Sequence, residues 1–213
     1  MIEIILLMLV IILFETCLAQ DSLDIQSDFR TKCQIGLKAG TNYSKADDIN
    51  NHKFKTNSKF GFVCGGYISI PINKSIGLQP ELQYSQKGFD VTKSIMGKSF
   101  QFTRTTSFID IPLMFAIKLN QFITVAIGPQ YSYLIKQKDT FSDSTSNFDM
   151  EHDKSRKSLL CFIDEVDLNM RQFIISLRSG WDLMKNIKNG SETNLQYKNV
   201  WYQITFGYTF YNN

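Results

Sequence analysis

The sequence feature that most restricts the fold is an alternation of apolar and polar residues along 108–135. This stretch reads FIDIPLMFAIKLNQFITVAIGPQYSYLI, with one alternating arm on each side of a polar pair, Asn120 and Gln121. Side chains that alternate with a period of two lie on opposite faces of a strand, and two such arms around a short polar break predict a β-hairpin. A helix is disfavoured because Pro112 would interrupt it and β-branched residues fill both arms.

The same alternation recurs along most of the chain. Besides the two arms of 108–135, it predicts strands at 32–43, 59–72, 75–89, 171–184 and 199–211. One further segment, 158–168, is ambiguous. Leu159, Phe162, Ile163 and Val166 would line one side of an amphipathic helix, whereas a strand would have to accept Asp164 on its apolar face.

The connecting segments favour a strand at 158–168. With that strand, long polar connections at 44–58, 90–106, 136–157 and 185–198 alternate with short turns at Asn73, Asn120 and Asn169. Such alternation is typical of up-and-down barrels, and an even number of strands returns both ends of the barrel to one side. The predicted fold class is therefore all-β, an eight-stranded antiparallel up-and-down transmembrane β-barrel with short periplasmic turns and long extracellular loops.

The beginning of the chain predicts a secretory signal peptide. An apolar run at 4–14 is followed by Cys17-Leu18-Ala19, a small-x-small ending that predicts cleavage after Ala19. The run is too short for a transmembrane helix, which takes about 20 residues, although Glu3 stands where a basic residue is usual. The predicted organisation is a signal peptide at 1–19, a flexible leader at 20–31 and an outer-membrane β-barrel domain at 32–213.

The two faces of the predicted strands differ enough to say which one points inward. A lipocalin-like barrel would turn its apolar faces inward, but here glycines such as Gly36, Gly40 and Gly180 concentrate on the polar faces. The narrow interior of a small barrel favours small residues, so the polar faces are predicted to line the lumen. Aromatic residues on the apolar faces are predicted to mark the membrane interface: Tyr43, Tyr84, Tyr131, Tyr133, Tyr202, Tyr208 and Phe210.

The charged residues on the polar faces predict an ion-pair and hydrogen-bond network inside the lumen. They are Lys38, Glu81, Asp110, Lys118, Arg178 and Asp182. Buried charges persist when they are paired, and an eight-stranded interior is just filled by side chains, so the network is interpreted as a plug. A narrow polar path for small solutes is the alternative reading of the same residues.

The sequence predicts neither an enzyme nor a bound cofactor. Glu81 and Asp110 could suggest acid–base catalysis, but no nucleophile accompanies them, and both histidines, His52 and His152, lie in predicted loops. The cysteines after Ala19 are widely spaced without a CxxC pair, so no metal site is predicted. The net charge of +3 is too small and dispersed to indicate a nucleic-acid partner.

Several of these stretches together resemble the small outer-membrane β-barrel family of Bacteroidetes, the porin-like or PorT-type barrel domain. The resemblance is carried by IGLKAGTNYS at 35–44, LQPELQYSQKG at 78–88, FIDIPLMFAIKL at 108–119, IGPQYSYLI at 127–135 and YQITFGYTF at 202–210. CFIDEVDL within 158–168 departs from the glycine-bearing strand of that family. The resemblance implies an integral outer-membrane barrel that contacts outer-membrane lipid and the barrel assembly machinery, with some relatives assisting envelope or secretion-machinery proteins.

Three hypotheses for function follow. The first is a non-enzymatic outer-membrane barrel with a structural, assembly or surface-interaction role. The second is a narrow porin-like channel for small solutes. The third is a soluble lipocalin-like barrel that binds an apolar ligand.

Overall fold

The computed structural model describes residues 29–48, 54–95, 98–141, 156–186 and 197–210. A short 3-10 helix at Phe29–Thr31 precedes the strands. The strands are β1 (Gln34–Asp48), β2 (Phe54–Pro71), β3 (Ile76–Ile95), β4 (Lys98–Lys118), β5 (Ile123–Phe141), β6 (Ser158–Met170), β7 (Phe173–Asp182) and β8 (Tyr197–Phe210). The predicted signal peptide and most of the predicted leader lie outside the described residues.

The eight strands form one closed barrel in which each strand pairs with its neighbours in chain order. Every pair is antiparallel, and β1 closes the barrel against β8, with Ile35 opposite Phe210 and Asp48 opposite Tyr197. Closure leaves no free edge along the paired strands, so the backbone hydrogen bonds are satisfied within the sheet. The predicted fold class is thereby confirmed as a closed eight-stranded antiparallel barrel.

Asparagine side chains build two of the three short turns. Asn73 Oδ1 accepts hydrogen bonds from the backbone N–H groups of Ser75 and Ile76, both at 2.8 Å. Asn120 Oδ1 accepts equivalent bonds from Phe122 at 2.7 Å and Ile123 at 2.8 Å. An asparagine that bonds the backbone two and three residues ahead stabilises a tight reversal of the chain. We call the end of the barrel that holds 72–75, 119–122 and 171–172 the turn end.

The ambiguous segment is a strand. β6 spans Ser158–Met170, and its alternating burial places Leu159, Cys161 and Ile163 inward. The strand prediction for 158–168 is therefore confirmed over the helical alternative. Asp164, which the outward face had to accept, takes a hydrogen bond of 2.6 Å from Ser179 Oγ on β7.

The predicted long loops are wrong in their extent. The predicted loop at 90–106 is largely strand, because β3 runs to Ile95 and β4 starts at Lys98. β5 likewise continues to Phe141, and β1 and β2 occupy parts of 44–58. The strands therefore extend well past the apolar alternation, at the end opposite the turn end.

The faces of the strands change character along the barrel. On β3 the outward residues Leu78 and Leu82 are apolar and the inward residues Glu81 and Gln83 are buried and polar. Beyond Tyr84 the order inverts: Gln86 and Asp90 face outward, and Phe89 and Val91 pack inside with Ala46 and Tyr197. An outward face that is apolar for part of the strand and polar beyond it fits a strand that leaves a bilayer.

Among the described residues, no helix has the length and hydrophobicity needed to cross a membrane.

Candidate functional site in the barrel lumen

The centre of the lumen holds a buried salt-bridge cluster around Lys38. Lys38 Nζ lies 2.7 Å from Glu165 Oε1 and 3.3 Å from both Glu81 Oε1 and Asp167 Oδ1. These atoms come from β1, β3 and β6, and all four side chains are almost completely buried. One ammonium group therefore links three strands, β1, β3 and β6, through salt bridges inside the lumen.

Arg178 on β7 completes this cluster. Its Nη2 lies 2.5 Å from Glu81 Oε2, and its Nε donates to Glu165 Oε2 at 2.7 Å. Its Nη1 donates to Gln83 Oε1 at 3.1 Å. The planar guanidinium thus joins β3 and β6 from the other side, and buried charges held by several hydrogen bonds offset their desolvation. We call Lys38, Glu81, Glu165, Asp167 and Arg178 the central cluster.

Neutral side chains donate further hydrogen bonds to the carboxylates of the central cluster. Gln79 Nε2 donates to Glu81 Oε1 at 3.0 Å, and Gln83 Nε2 donates to Glu81 Oε2 at 2.8 Å. Ser176 Oγ forms a short hydrogen bond to Asp167 Oδ1. The cluster contains two cations and three carboxylates, so it carries one excess negative charge when all five groups are ionised.

A second polar group lies nearer the end of the barrel opposite the turn end, which we call the far end. Lys87 Nζ sits 3.2 Å from Asp110 Oδ2 and 3.6 Å from the centre of the Trp201 ring. Asp182 accepts hydrogen bonds from the backbone N–H and the side-chain amide of Asn199, at 2.9 and 2.7 Å. An ammonium group over an indole face gains cation–π attraction when both are removed from water.

The six predicted lumen residues are all buried, but they do not form one network. The structure brings together Lys38, Glu81 and Arg178 in the central cluster, whereas Asp110 pairs with Lys87 and Asp182 with Asn199. Lys118 lies at the turn end, where its Nζ donates to the backbone carbonyl of Arg30 at 3.0 Å.

Sequence reasoning missed two members of the central cluster, Glu165 and Asp167. Both lie on the inward face of β6. Once 158–168 is placed as a strand with Leu160 and Val166 outward, the period of two puts these two carboxylates in the lumen. The signal was present in the sequence, but the helix–strand ambiguity concealed it.

The predicted interface aromatics all lie on the outer surface. Tyr43, Tyr131, Tyr133, Tyr202, Tyr208 and Phe210 are exposed and Tyr84 is half-buried. Tyr133 and Tyr84 both pair with Ile109, whereas Tyr208 pairs with Phe173 next to the turn end. A strand advances about 3.4 Å per residue and tilts by about 45°, so Ile123 at the start of β5 and Tyr133 lie about 24 Å apart along the barrel axis. That spacing matches the apolar band of a membrane barrel, and the interfacial role of these residues stays a prediction.

The lumen offers little chemistry beyond charge pairing. Its single described thiol, Cys161, lies 3.2 Å from Asp182 Oδ1 and is fully buried. In the parts of the chain that the structure describes, no three His, Cys, Asp or Glu side chains are arranged to hold a metal ion. A recess lies at the turn end, lined by residues that include Gln34, Tyr67, Lys118 and Asn169.

A closed antiparallel barrel with a polar interior and an apolar outer band defines the class of outer-membrane β-barrels. Residues 19–188 match the family described as "Outer membrane protein beta-barrel domain". The chain belongs to this family, and it is an outer-membrane β-barrel protein. No functionally curated protein matches the chain.

Solved structures with the same architecture differ widely in sequence from this chain. Neisserial surface protein A is 12% identical with a TM-score of 0.51, over 83% of this chain and 97% of that one. Ail, the attachment invasion locus protein of Yersinia pestis, is 11% identical with a TM-score of 0.46, over 84% and 99%. OprG of Pseudomonas aeruginosa is 13% identical with a TM-score of 0.45, over 84% and 96%. At this identity the similarity to the neisserial protein shows a shared fold alone.

Proposed function

We propose that this protein is a plugged, non-enzymatic outer-membrane barrel that serves as a structural or surface-interaction component of the envelope. The observation that carries this proposal is the central cluster. Its side chains come from β1, β3, β6 and β7 and bond one another across the lumen. A solute crossing the barrel would have to separate those charges, each of which is expensive to leave unpaired.

The burial of the cluster supports a plug over a channel. Lys38, Glu81 and Arg178 are 2%, 4% and 3% exposed. A conducting path needs water along its lining, whereas an eight-stranded barrel has room for little more than its own side chains. A narrow channel remains the competing function, and the conductance experiment below decides between them.

The outer surface contradicts a soluble lipocalin-like barrel. Such a barrel needs its apolar faces inside, but Leu37, Leu82 and Leu177 point outward with 58%, 58% and 51% exposure. A continuous band of exposed aliphatic and aromatic residues marks a membrane-facing surface.

The proposed interaction surface is the wall formed by the far ends of β2, β3, β4 and β5. These strands span 18 to 21 residues, whereas β7 spans 10. Inside the wall, Arg104 Nε donates to Asp139 Oδ1 at 2.8 Å, and Phe89 packs on Tyr197 with ring centres 4.6 Å apart. A wall with its own packed interior presents a fixed surface to partners.

We also propose how the barrel is oriented in the membrane, how the chain is processed and to which lineage it belongs. The turn end faces the periplasm, the wall faces outward, and the signal peptide is removed after Ala19 during export. The motifs that resemble the porin-like or PorT-type barrels of Bacteroidetes support that lineage. The proposed partners are outer-membrane lipid, the barrel assembly machinery, and proteins of the envelope or of secretion machinery.

Planar-bilayer recording tests the plug. The folded protein is expected to give no discrete conductance steps, and Arg178→Ala is expected to give small steps because it frees Glu81 and Glu165 from their guanidinium partner. A gel-mobility change on heating shows that each sample is folded. Steps from the unaltered protein that disappear when Arg178 or Glu81 is changed would establish the channel instead.

A further inference from the structure

Three lysines lie close together on the outer face of the wall. Lys136 and Lys138 on β5 pair with Ser107 and Thr105 on β4. Lys59 on β2 reaches Thr105 across β3. Lys59 Nζ lies 2.6 Å from Thr105 Oγ1. We call Lys59, Lys136 and Lys138, with the hydroxyl groups of Thr105 and Ser107, the lysine patch.

A glycine lets Lys59 cross the intervening strand. Gly88 on β3 pairs with Thr105 on β4. A Cβ at this position would lie 3.2 Å from Lys59 Cδ and 2.4 Å from the carbonyl oxygen of Arg104. The absence of a side chain therefore leaves a shallow furrow through which the lysine chain runs to Thr105.

The charge of the lysine patch is uncompensated. Lys136 and Lys138 are exposed, and neither forms an ion pair with any residue in the described ranges. The neighbouring carboxylate of Asp90 accepts a hydrogen bond of 2.6 Å from Thr103 Oγ1 and forms no ion pair with a lysine of the patch within the described ranges. Lys59 already donates to Thr105 Oγ1, so the ammonium groups of Lys136 and Lys138 are the ones that the patch leaves exposed and without an ion-pair partner in the described ranges.

The position of the patch on the wall places it at the membrane surface. It begins one row beyond Tyr84 and Tyr133, where the outward face of the wall changes from apolar to polar. The Tyr84 hydroxyl donates to Ser107 Oγ at 3.1 Å, so the aromatic residues and the patch are continuous. Tyrosines at this level sit among lipid headgroups, and lysines immediately beyond them meet the phosphate groups of those lipids.

We propose that the lysine patch binds the phosphate group of an outer-leaflet lipid. Three ammonium groups and two hydroxyl groups from β2, β4 and β5 suit the oxygen atoms of a phosphate group, and the rigid sheet holds them in place. This inference rests on the proposed orientation, in which the wall faces the outer leaflet. A bound lipid would fix the wall to the membrane around β2, β4 and β5.

Calorimetric titration of the folded protein in a neutral detergent with diphosphoryl lipid A tests the proposal. The unaltered protein is expected to bind, and K59Q/K136Q/K138Q is expected to bind about 100-fold more weakly, since each lysine near a charged lipid surface contributes a factor of about five. Lipid A without its phosphates is expected to show the same loss. Inorganic phosphate is expected not to compete at equal concentration.

A matched variant controls for general charge attraction. K45Q/K74Q/K198Q removes the same number of positive charges from other strands and a turn, and it is expected to bind as the unaltered protein does. Equal weakening in both triple variants, or displacement by inorganic phosphate, would overturn the lipid site. The heat-dependent gel shift and the conductance recording are independent of the patch, so its failure would leave the proposed function standing.

Discussion

Lys38 and Glu165 are joined by a 2.7 Å salt bridge between Nζ and Oε1 that crosses the lumen from β1 to β6. These strands are not neighbours in the barrel, so the salt bridge connects two strands that share no backbone hydrogen bonds. Both side chains are screened from water, at 2% and 0% exposure. The stability of the barrel should therefore depend on this pair more than on any surface charge.

Replacement of Lys38 by methionine tests that dependence. Lys38→Met leaves three buried carboxylates to a single guanidinium, so we expect the free energy of unfolding to fall by about 3–5 kcal/mol. Urea unfolding in lipid vesicles, followed by tryptophan fluorescence, measures it.

The matched control is Lys45→Met, on the same strand but exposed to solvent. Its effect is expected to stay within about 0.5 kcal/mol. Similar losses in the two variants would show that the buried salt bridges of Lys38 do not add to the free energy of unfolding.

A double-mutant cycle isolates the bond itself. K38M/E165L removes a cation and a carboxylate together and leaves Arg178 facing Glu81. We expect the double variant to be more stable than the sum of the single losses predicts, by about 0.5–3 kcal/mol. Strict additivity in the same urea unfolding assay would contradict a direct pairing of the two residues.

A glycine on the inner face of β1 should not accept a methyl group. A Cβ at Gly40 would lie 2.0 Å from the carbonyl oxygen of Ile204 and 2.7 Å from Thr205 Cα, both of them backbone atoms. Gly40→Ala is therefore expected to lower the free energy of unfolding by about 1–3 kcal/mol or to prevent folding.

Gly66 provides the comparison, since its nearest neighbours would be 3.5 and 3.6 Å from an added Cβ. Gly66→Ala should fold normally, as shown by the heat-dependent gel shift. If both alanine variants fold equally well, the close approach of β1 and β8 at Gly40 is not a constraint.

The sequence was sufficient to establish the closed barrel and the direction of its faces. The alternation in 108–135 assigns Ile109, Leu113 and Phe115 to the outer face and Asp110 and Lys118 to the lumen, as the structure has them. Such assignments succeed because the bilayer demands apolar residues on one face and a filled polar lumen tolerates few on the other.

The central cluster was harder to predict because its residues are distant in sequence. Lys38 and Glu165 lie on strands whose shared height in the barrel depends on the stagger of all the strands. Alternation shows that a side chain points inward, but it does not say which inward side chains meet. One large network was therefore predicted where the structure has separate groups.

The far ends of the strands escaped prediction for a different reason. Beyond Tyr84, the outward residues Gln86 and Asp90 are polar, while Phe89 and Val91 turn inward. Charged and hydroxyl residues near these positions resembled a loop. A strand that leaves the membrane keeps its period of two, but its apolar side chains then lie on the inner face. A prediction that follows the outer apolar face therefore ends the strand too early.

Depth-dependent quenching of the two tryptophans tests the inside–outside arrangement most directly. Trp181 is 39% exposed on the outer face, and Trp201 is 1% exposed inside the lumen. In vesicles of brominated lipid, W201F, which keeps Trp181, should lose most of its fluorescence, whereas W181F, which keeps Trp201, should lose little. Equal or stronger quenching of Trp201 would contradict a polar lumen enclosed by a lipid-facing apolar surface.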